Sequence, residues 1–441
     1  MYKVCKFGGS SLSTAEEWKK VKDIIEKDPD RRIVVVSAVG KADKKDNKVT
    51  DLLYLIYQHH KYHVDYLPLF EQVKNKYLQI KNELGINIDI EEDFDDIKER
   101  LDNDRISEEE LVSRGEYFSA KMMACYLGFD FVDSMELINF DYNGKVVEQE
   151  TIDCIERAVS VHEYMVVPGF YGSYPNYKIC LFSRGGSDIT GSYMAKGAHA
   201  DLYENFTDVC GFYMADPRII ENPRHISQIS YDELRELSFM GASVLHEETI
   251  LSLIDEDIPI LVLNTDCPDE PGTWVRKTIN HRKHLVTGIS GKKNFLALTF
   301  LKTKSSDKLT LMMQVLQVFS SYHIKIENIP TSLDTFCVVV EKNAVEEKYY
   351  DLIADLKGIS GIQTIDEDED LALLAVVGGN MVNKPKSSGT IIEVLGDAGI
   401  NIKLIDQGLE EYNIILGISN RDFNKAIKAL YDRFAHEKIE E

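Results

Sequence analysis

The chain is predicted to be α/β: a mostly parallel sheet with helices on both faces, followed by two small ferredoxin-like modules. Three observations carry this. Over the first two thirds, short apolar runs alternate with stretches of helical periodicity; a glycine pair closes the first strand where a helix begins; and beyond about Lys292 the chain repeats itself, 310–331 aligning on 386–407 without gaps at an offset of 76. Strands that alternate with helices imply parallel pairing with crossover helices. Ligands of such sheets sit at the carboxyl ends of the strands.

The strand candidates are 4–7, 33–36, 129–132, 164–167, 178–182, 202–206 and 260–263. The run 33–36 is continuously β-branched, as suits a strand buried on both faces. A helix is expected from Ser107, whose Glu110 completes a capping box, to Leu127 before the stop at Gly128. Ser13 with Glu16 reads as a second capping box. The lysine-rich stretch 41–51 reads as a mobile loop over the ligand end of the sheet, and the acidic run 91–96 as a solvated face or loop.

In the repeat, Val315 falls on Ile391, Val318 on Val394, Ile324 on Ile400, Ile326 on Ile402 and Ile329 on Ile405. Each copy reads as helix, strand, turn, strand and final helix. Preceded by the strands 296–301 and 371–377, both copies match a split βαβ unit.

Composition narrows the function. The chain has 441 residues, 44% hydrophobic and 28% charged, enough for two or three domains. A net charge of -24 argues against nucleic acid or an anionic membrane as partner. No apolar run of membrane-spanning length and no signal-peptide pattern are present, so a cytoplasmic location is expected. The 7 cysteines are scattered and without a CxxC pair, which supports neither a zinc site nor a disulfide framework. An anionic substrate must therefore be held by individual lysines and arginines near glycines.

Lys6-Phe7-Gly8-Gly9-Ser10 has two readings, a structural turn or a phosphate cradle in which side-chain-free backbone N–H groups meet an anion and Lys6 adds a compact charge. Its spacing is not that of a Walker loop. Ser183-Arg184-Gly185-Gly186-Ser187-Asp188 is a second glycine turn, ahead of a helix from Ile189. It is either a tight turn with a capping acid or the second wall of the same cleft, with Arg184 as an anion fork. Gly115-Glu116 lies inside a helix, where a glycine costs about 1 kcal/mol relative to alanine and implies a close approach of something else. The stretch from Asn205 through Thr207-Asp208 to Asp216-Pro217-Arg218 offers groups for a nucleotide. His246-Glu247-Glu248 lacks the second histidine of a zinc helix, and His59-His60 reads as solvated.

These pieces, with Val35-Val36-Ser37-Ala38 and Pro168-Gly169-Phe170-Tyr171-Gly172, resemble in order and spacing the aspartate kinases of the amino acid kinase superfamily. The resemblance implies a three-layer αβα (carbamate kinase-like) catalytic domain over 1–292, a first ACT domain over 305–370 and a second over 371–441. In the family the second module borrows the strand ahead of the first, here 294–304. The implied reaction is ATP plus L-aspartate giving 4-phospho-L-aspartate, the first step toward lysine, threonine and methionine. A carboxylate nucleophile is already ionised at pH 7, so no general base is needed. Alternatives are a noncatalytic amino-acid sensor and a kinase for another small amino acid.

By the same resemblance, Lys6, Gly9 and Asp188 are catalytic, with Mg2+ arriving on ATP rather than on protein ligands. Ser37, Thr50, Glu116, Arg184 and Ser187 bind the substrate. Lys6, Gly8, Gly9, Ser10, Thr207, Asp208, Tyr213, Asp216, Arg218 and Ser243 bind the nucleotide, Ser243 standing where the family commonly has lysine. Lys325, Glu327, Thr331 and Ser332 form the effector site, for which L-lysine is expected. In the second module Gln407-Gly408-Leu409-Glu410-Glu411 departs from the frequent Gln-Gly-Ser-Ser-Glu. Pairing of ACT modules implies a homodimer or dimer of dimers.

Overall fold

The computed structural model describes residues 2–183, 185–241, 245, 247–279, 284–381, 384–408 and 412–437. Two compact units emerge, the first of 1–212, 227–231 and 244–279, the second of 213–226, 232–243 and 280–441. The strands up to residue 276 are β1 (Lys3–Phe7), β2 (Arg31–Val36), β3 (Asp130–Phe131), β4 (Met165–Pro168), β5 (Tyr171–Ser173), β6 (Ile179–Leu181), β7 (Leu202–Thr207), β8 (Phe212–Tyr213), β9 (His225–Ile226), β10 (Gln228–Ser230), β11 (Ile260–Asn264) and β12 (Thr273–Arg276). The helices among them are α1 (Ala15–Glu26), α2 (Val49–Lys61), α3 (Leu67–Leu84), α4 (Glu91–Asp102), α5 (Glu108–Leu127), α6 (Glu148–Val161), α7 (Gly186–Gly197), α8 (Tyr231–Phe239) and α9 (Glu247–Ile254).

The first unit is built on an eight-stranded sheet in the order β10-β12-β11-β7-β1-β2-β4-β3. β11, β7, β1, β2, β4 and β3 run parallel, and β12 pairs antiparallel to β11. β1 is therefore central, and its residues Val4, Cys5 and Phe7 are fully buried. Beneath it, Glu204 of β7 takes hydrogen bonds from Arg31 (2.6 and 3.1 Å) and from the Cys5 thiol (3.2 Å), so this buried carboxylate carries its own counter-ion.

Two local expectations shift, and the acidic run is the solvated face of a helix. The run 178–182 does not join the main sheet; β6 pairs antiparallel with β5, because the polar 174–178 segment turns the chain straight back. Thr14, not Ser13, caps α1, its hydroxyl accepting from the Glu17 N–H at 3.3 Å, because Ser10–Leu12 forms a 3-10 turn first. The acidic run opens α4, where carboxylates favour the positive helix end and pair with Lys74, Lys81 and Lys121 while Phe94, Ile97 and Leu101 face the core. The Ser107 cap and the Gly128 stop of α5 are as expected, with Gly128 left-handed at φ 74°.

The second unit holds β13 (Gly288–Lys302), β14 (Ile326–Asn328), β15 (Thr335–Glu341), β16 (Ile362–Val377), β17 (Ile402–Asp406) and β18 (Asn413–Ile418), with α10 (Lys308–Ser321), α11 (Lys342–Val345), α12 (Tyr349–Lys357), α13 (Ser387–Asp397) and α14 (Phe423–Phe434). The strands form one sheet, β14-β15-β13-β16-β18-β17. The two long strands each serve both copies of the repeat: 295–301 of β13 pairs with β15, whereas 288–292 pairs with 373–377 of β16, which in turn pairs with β18. The strand 296–301 thus belongs with the first copy, and the piece that completes the second lies just before it. Val315 and Ile391 are each fully buried in their own apolar cores.

The expected catalytic boundary at 292 is also revised. Met214, Ala215 and Ile220 are buried in one core with Ile289, Leu416, Leu430 and Phe434, and the Ile289 N–H donates to the Met214 carbonyl at 2.6 Å. Arg224 donates to the carbonyls of Val286 (2.8 Å) and Ala435 (3.3 Å). The 213–226 loop is apolar on its inner side and is stabilised by that core.

Candidate functional site

At the carboxyl end of β1 the chain turns through Gly8 and Gly9. The Gly9 carbonyl accepts from the Gly40 N–H at 2.9 Å, and a Cβ on Gly9 would come within 2.9 Å of the Ala38 carbonyl, so the close passage of two loops requires glycine here. Ser37 follows β2 and its N–H donates to the Phe7 carbonyl at 3.1 Å. The second turn reaches the same place by the β5–β6 hairpin: Phe182 N–H donates to the Phe170 carbonyl, Gly185 is left-handed at φ 62°, and α7 begins at Gly186 rather than at Ile189.

The two turns meet through side chains. Lys6 Nζ lies 2.6 Å from Asp188 Oδ1, an ion pair in which both side chains are largely buried. Asn205 donates to the same carboxylate at 2.9 Å, leaving Asp188 fixed from two sides. Ser37 Oγ donates to Ser187 Oγ at 2.8 Å. A helix N-terminus beside a lysine is suited to an anion.

Glu116 enters from α5. Gly115 allows this: a Cβ there would come within 2.8 Å of the Ala38 Cβ, so the helix is pressed onto the end of β2. Glu116 is only 4% exposed, its carboxylate accepts from the Ala38 N–H, and its Oε2 has no hydrogen-bond partner. Burial raises its pKa from 4.5 to about 8. A buried carboxyl with an orphan oxygen has the chemistry to receive a cation.

Thr50 is half-buried in the first turn of α2, and the polar stretch ahead of it, 41–48, is loop. Gly8 and Gly9 are half-buried and Ser10 is exposed at the turn. Thr207 ends β7 and Asp208 follows it, the Thr207 hydroxyl donating to Asp208 at 3.1 Å. Tyr213, Asp216 and Arg218 belong to the second unit, where Arg218 grips Asp216 through two nitrogens (3.0 and 2.6 Å) and holds that carboxyl below its ordinary pKa. Arg184 and Ser243 lie outside the described residues, as do Leu409, Glu410 and Glu411.

Sequence reasoning missed Thr265, whose hydroxyl is 2.6 Å from that of Ser11 and whose N–H donates to the Thr207 carbonyl, tying the end of β11 to the first glycine turn and to the end of β7. It also missed Gly40, signalled only by its place after the second strand. In the second unit Glu327 of β14 is nearly buried, with Lys325 at 3.4 Å; Lys325 also lies over the Phe239 ring at 4.1 Å. Thr331 pairs with Phe336 in an isolated bridge, and the Ser332 carbonyl accepts from Lys308 at 2.7 Å.

Residues 1–264 match the amino acid kinase family and residues 374–434 an ACT domain. The chain is 32% identical over 454 residues to aspartokinase 3 of Bacillus subtilis, covering 98% of each. It is 40% identical to the crystal structure of Clostridium acetobutylicum aspartate kinase, with a TM-score of 0.89 over 98% of this chain and 99% of that one. The structure of Escherichia coli aspartokinase III in complex with aspartate and ADP shares the fold at 22% identity, with a TM-score of 0.79 over 98% of this chain and 99% of that one. That enzyme is also known in complex with lysine and aspartate, at 22% identity and a TM-score of 0.79 over 99% of this chain and 100% of that one.

Proposed function

The chain belongs to the aspartokinase family and is an aspartate kinase, and from that premise we propose how its residues divide the transfer of the ATP γ-phosphoryl group to the side-chain carboxylate of L-aspartate. The observation that carries the reading is the convergence of the two glycine turns, with Lys6 2.6 Å from Asp188, together with the unpartnered Glu116 oxygen held at Ala38 after β2.

MgATP is the phosphoryl donor, and its metal enters with the nucleotide. Both reactants are anions, so the protein's work is to offset their repulsion and align them. Lys6 neutralises charge on the transferring group, and Asp188, itself held by Asn205, keeps the Lys6 ammonium aimed. Backbone N–H groups of Gly9 and Ser10 face the polyphosphate while that of Gly8 donates to the Phe206 carbonyl at 3.3 Å, with Thr207 and Asp208 for the rest of the nucleotide. Glu116 takes the α-ammonium of aspartate and Arg184 its α-carboxylate, with Ser37, Thr50 and Ser187 around the side chain. The attacking carboxylate is ionised at neutral pH, so no proton needs to be removed before transfer. The test is hydroxamate trapping of the acyl phosphate with ATP, Mg2+ and L-aspartate; glutamate as the better acceptor would overturn the substrate assignment.

The tail carries the control. Glu327, with Lys325, Thr331 and Ser332, binds a cationic amino acid, L-lysine, whose ammonium displaces Lys325 from Glu327. The complex of the E. coli enzyme with lysine and aspartate supports this choice of effector. Activity that stays flat as lysine rises, with threonine and methionine as controls, would exclude it. Leu309, Met313 and Leu333 expose apolar surface on the first copy, which fits pairing of two chains through these modules. Light scattering that reports a monomer would rule the dimer out. No helix among the described residues is long and apolar enough to cross a membrane.

A further inference from the structure

We propose that Cys210, Cys267 and Glu270 form a binding site for a thiophilic divalent cation of the zinc class at the carboxyl edge of β7 and β11. Their two sulfurs and a carboxylate oxygen all lie within 4.8 Å of one another, and none of the seven cysteines is in a disulfide. Sequence spacing hides the cluster, because one thiol follows β7 and the other two groups follow β11. Tetrahedral coordination at about 2.3 Å from sulfur and about 2.0 Å from oxygen needs donors roughly 3.5–3.8 Å apart. Cys267 and Glu270 are exposed, so rotamer changes alone can close that gap.

The frame of the site is already fixed. The Glu270 N–H donates to the Cys267 carbonyl at 3.1 Å, a turn that brings both side chains to one side. The Thr265 N–H donates to the Thr207 carbonyl and the Phe212 N–H to Thr273 Oγ1 (2.9 Å), which clamp the two loops together on either side of the donors. Gly211, left-handed at φ 95°, lets Thr273 approach where a Cβ would overlap its hydroxyl. The Cys210 thiol shares a hydrogen bond with the Glu270 carboxylate, and an ion would take the place of that proton. The buried Asn264 amide donates to Cys210 Sγ at 3.2 Å, the kind of outer contact that orients a metal-bound thiolate. Two soft sulfurs with one oxygen select zinc-like ions over Mg2+. Three protein donors leave a fourth position for water.

Binding is a proton exchange: both thiols release their protons to solvent as two metal–sulfur bonds form, and no oxidant takes part. The test is titration of the full chain with Cd2+ at pH 7 in a phosphine reductant, followed by thiolate-to-metal charge-transfer absorption. The proposal predicts one such site per chain, release of about two protons per ion, displacement by Zn2+, and no competition from millimolar Mg2+. Cys210→Ser and Cys267→Ser should each weaken Cd2+ at least about tenfold, and Glu270→Gln, which keeps both thiols, about tenfold. Circular dichroism of each variant checks that it folds. Unchanged Cd2+ binding in the two serine variants, or no charge-transfer band in a wild-type chain whose thiols are all reduced, would overturn the site.

Discussion

Glu116 in the first unit and Glu327 in the second are both withdrawn from solvent and both assigned to the ammonium of an amino acid, yet they are prepared differently. Glu116 has backbone donors at Ala38 and at its own N–H, and an orphan oxygen, and burial holds its pKa at about 8. Glu327 already has Lys325 at 3.4 Å. On the proposed assignment the first is a neutral carboxyl that ionises only against the ligand's ammonium, which couples substrate capture to one charge. On the same assignment the second is a completed pair that an effector's ammonium must displace. In the second copy of the repeat the place of Glu327 is taken by Lys403, held by Asp368 at 2.9 Å. The two copies thus present opposite charges at equivalent positions, and only the first suits a cation.

The largest expected effect lies at the group both reactants need. Lys6→Ala should lower kcat by about 10^3-fold, the loss of a charge-stabilising donor at the transferring group, with the fold unchanged by circular dichroism. Next, Glu116→Gln should lower kcat/KM for L-aspartate about 10^2-fold while the KM of ATP stays within about twofold. An equal loss for both substrates would mean that Glu116 supports the fold rather than the ammonium.

The same substitution has a stability signature. Glu116 keeps its proton in the folded chain up to about pH 8 but loses it near 4.5 when unfolded. Its contribution is therefore fully present below 4.5 and is lost as pH rises through 8. Thermal melts should show Glu116→Gln gaining on the wild type steadily from pH 5 to 8.

Smaller effects separate the copies. Glu327→Gln should raise the lysine concentration for half-inhibition about tenfold, whereas Lys403→Ala should leave it within about twofold. Lys325→Met removes the internal competitor and should tighten lysine about threefold. Weaker lysine binding in that variant would instead assign Lys325 to the effector's carboxylate.

The parts of the fold that repeat a local rule are legible in the sequence. The capped helix at Ser107, the buried run 33–36 and the paired apolar positions of the tail all follow from spacing. Gly115 was legible as a close approach, because a glycine inside a helix needs a reason, although Ala38 as its neighbour was not. What escaped depends on pairing partners. Nothing local says that 178–182 folds back on 171–173, that β13 divides between two modules, or that the 213–226 loop packs into the tail's core. The pairing of Lys6 with Asp188 likewise needed the sheet order, since the residues come from turns far apart in the chain.

The most direct test is calorimetry of L-aspartate binding at pH 7, with a non-hydrolysable ATP analogue present, in two buffers of different ionisation enthalpy. If Glu116 is protonated in the empty site and ionised against the substrate ammonium, close to one proton is released per chain. Binding with no proton release would contradict the account.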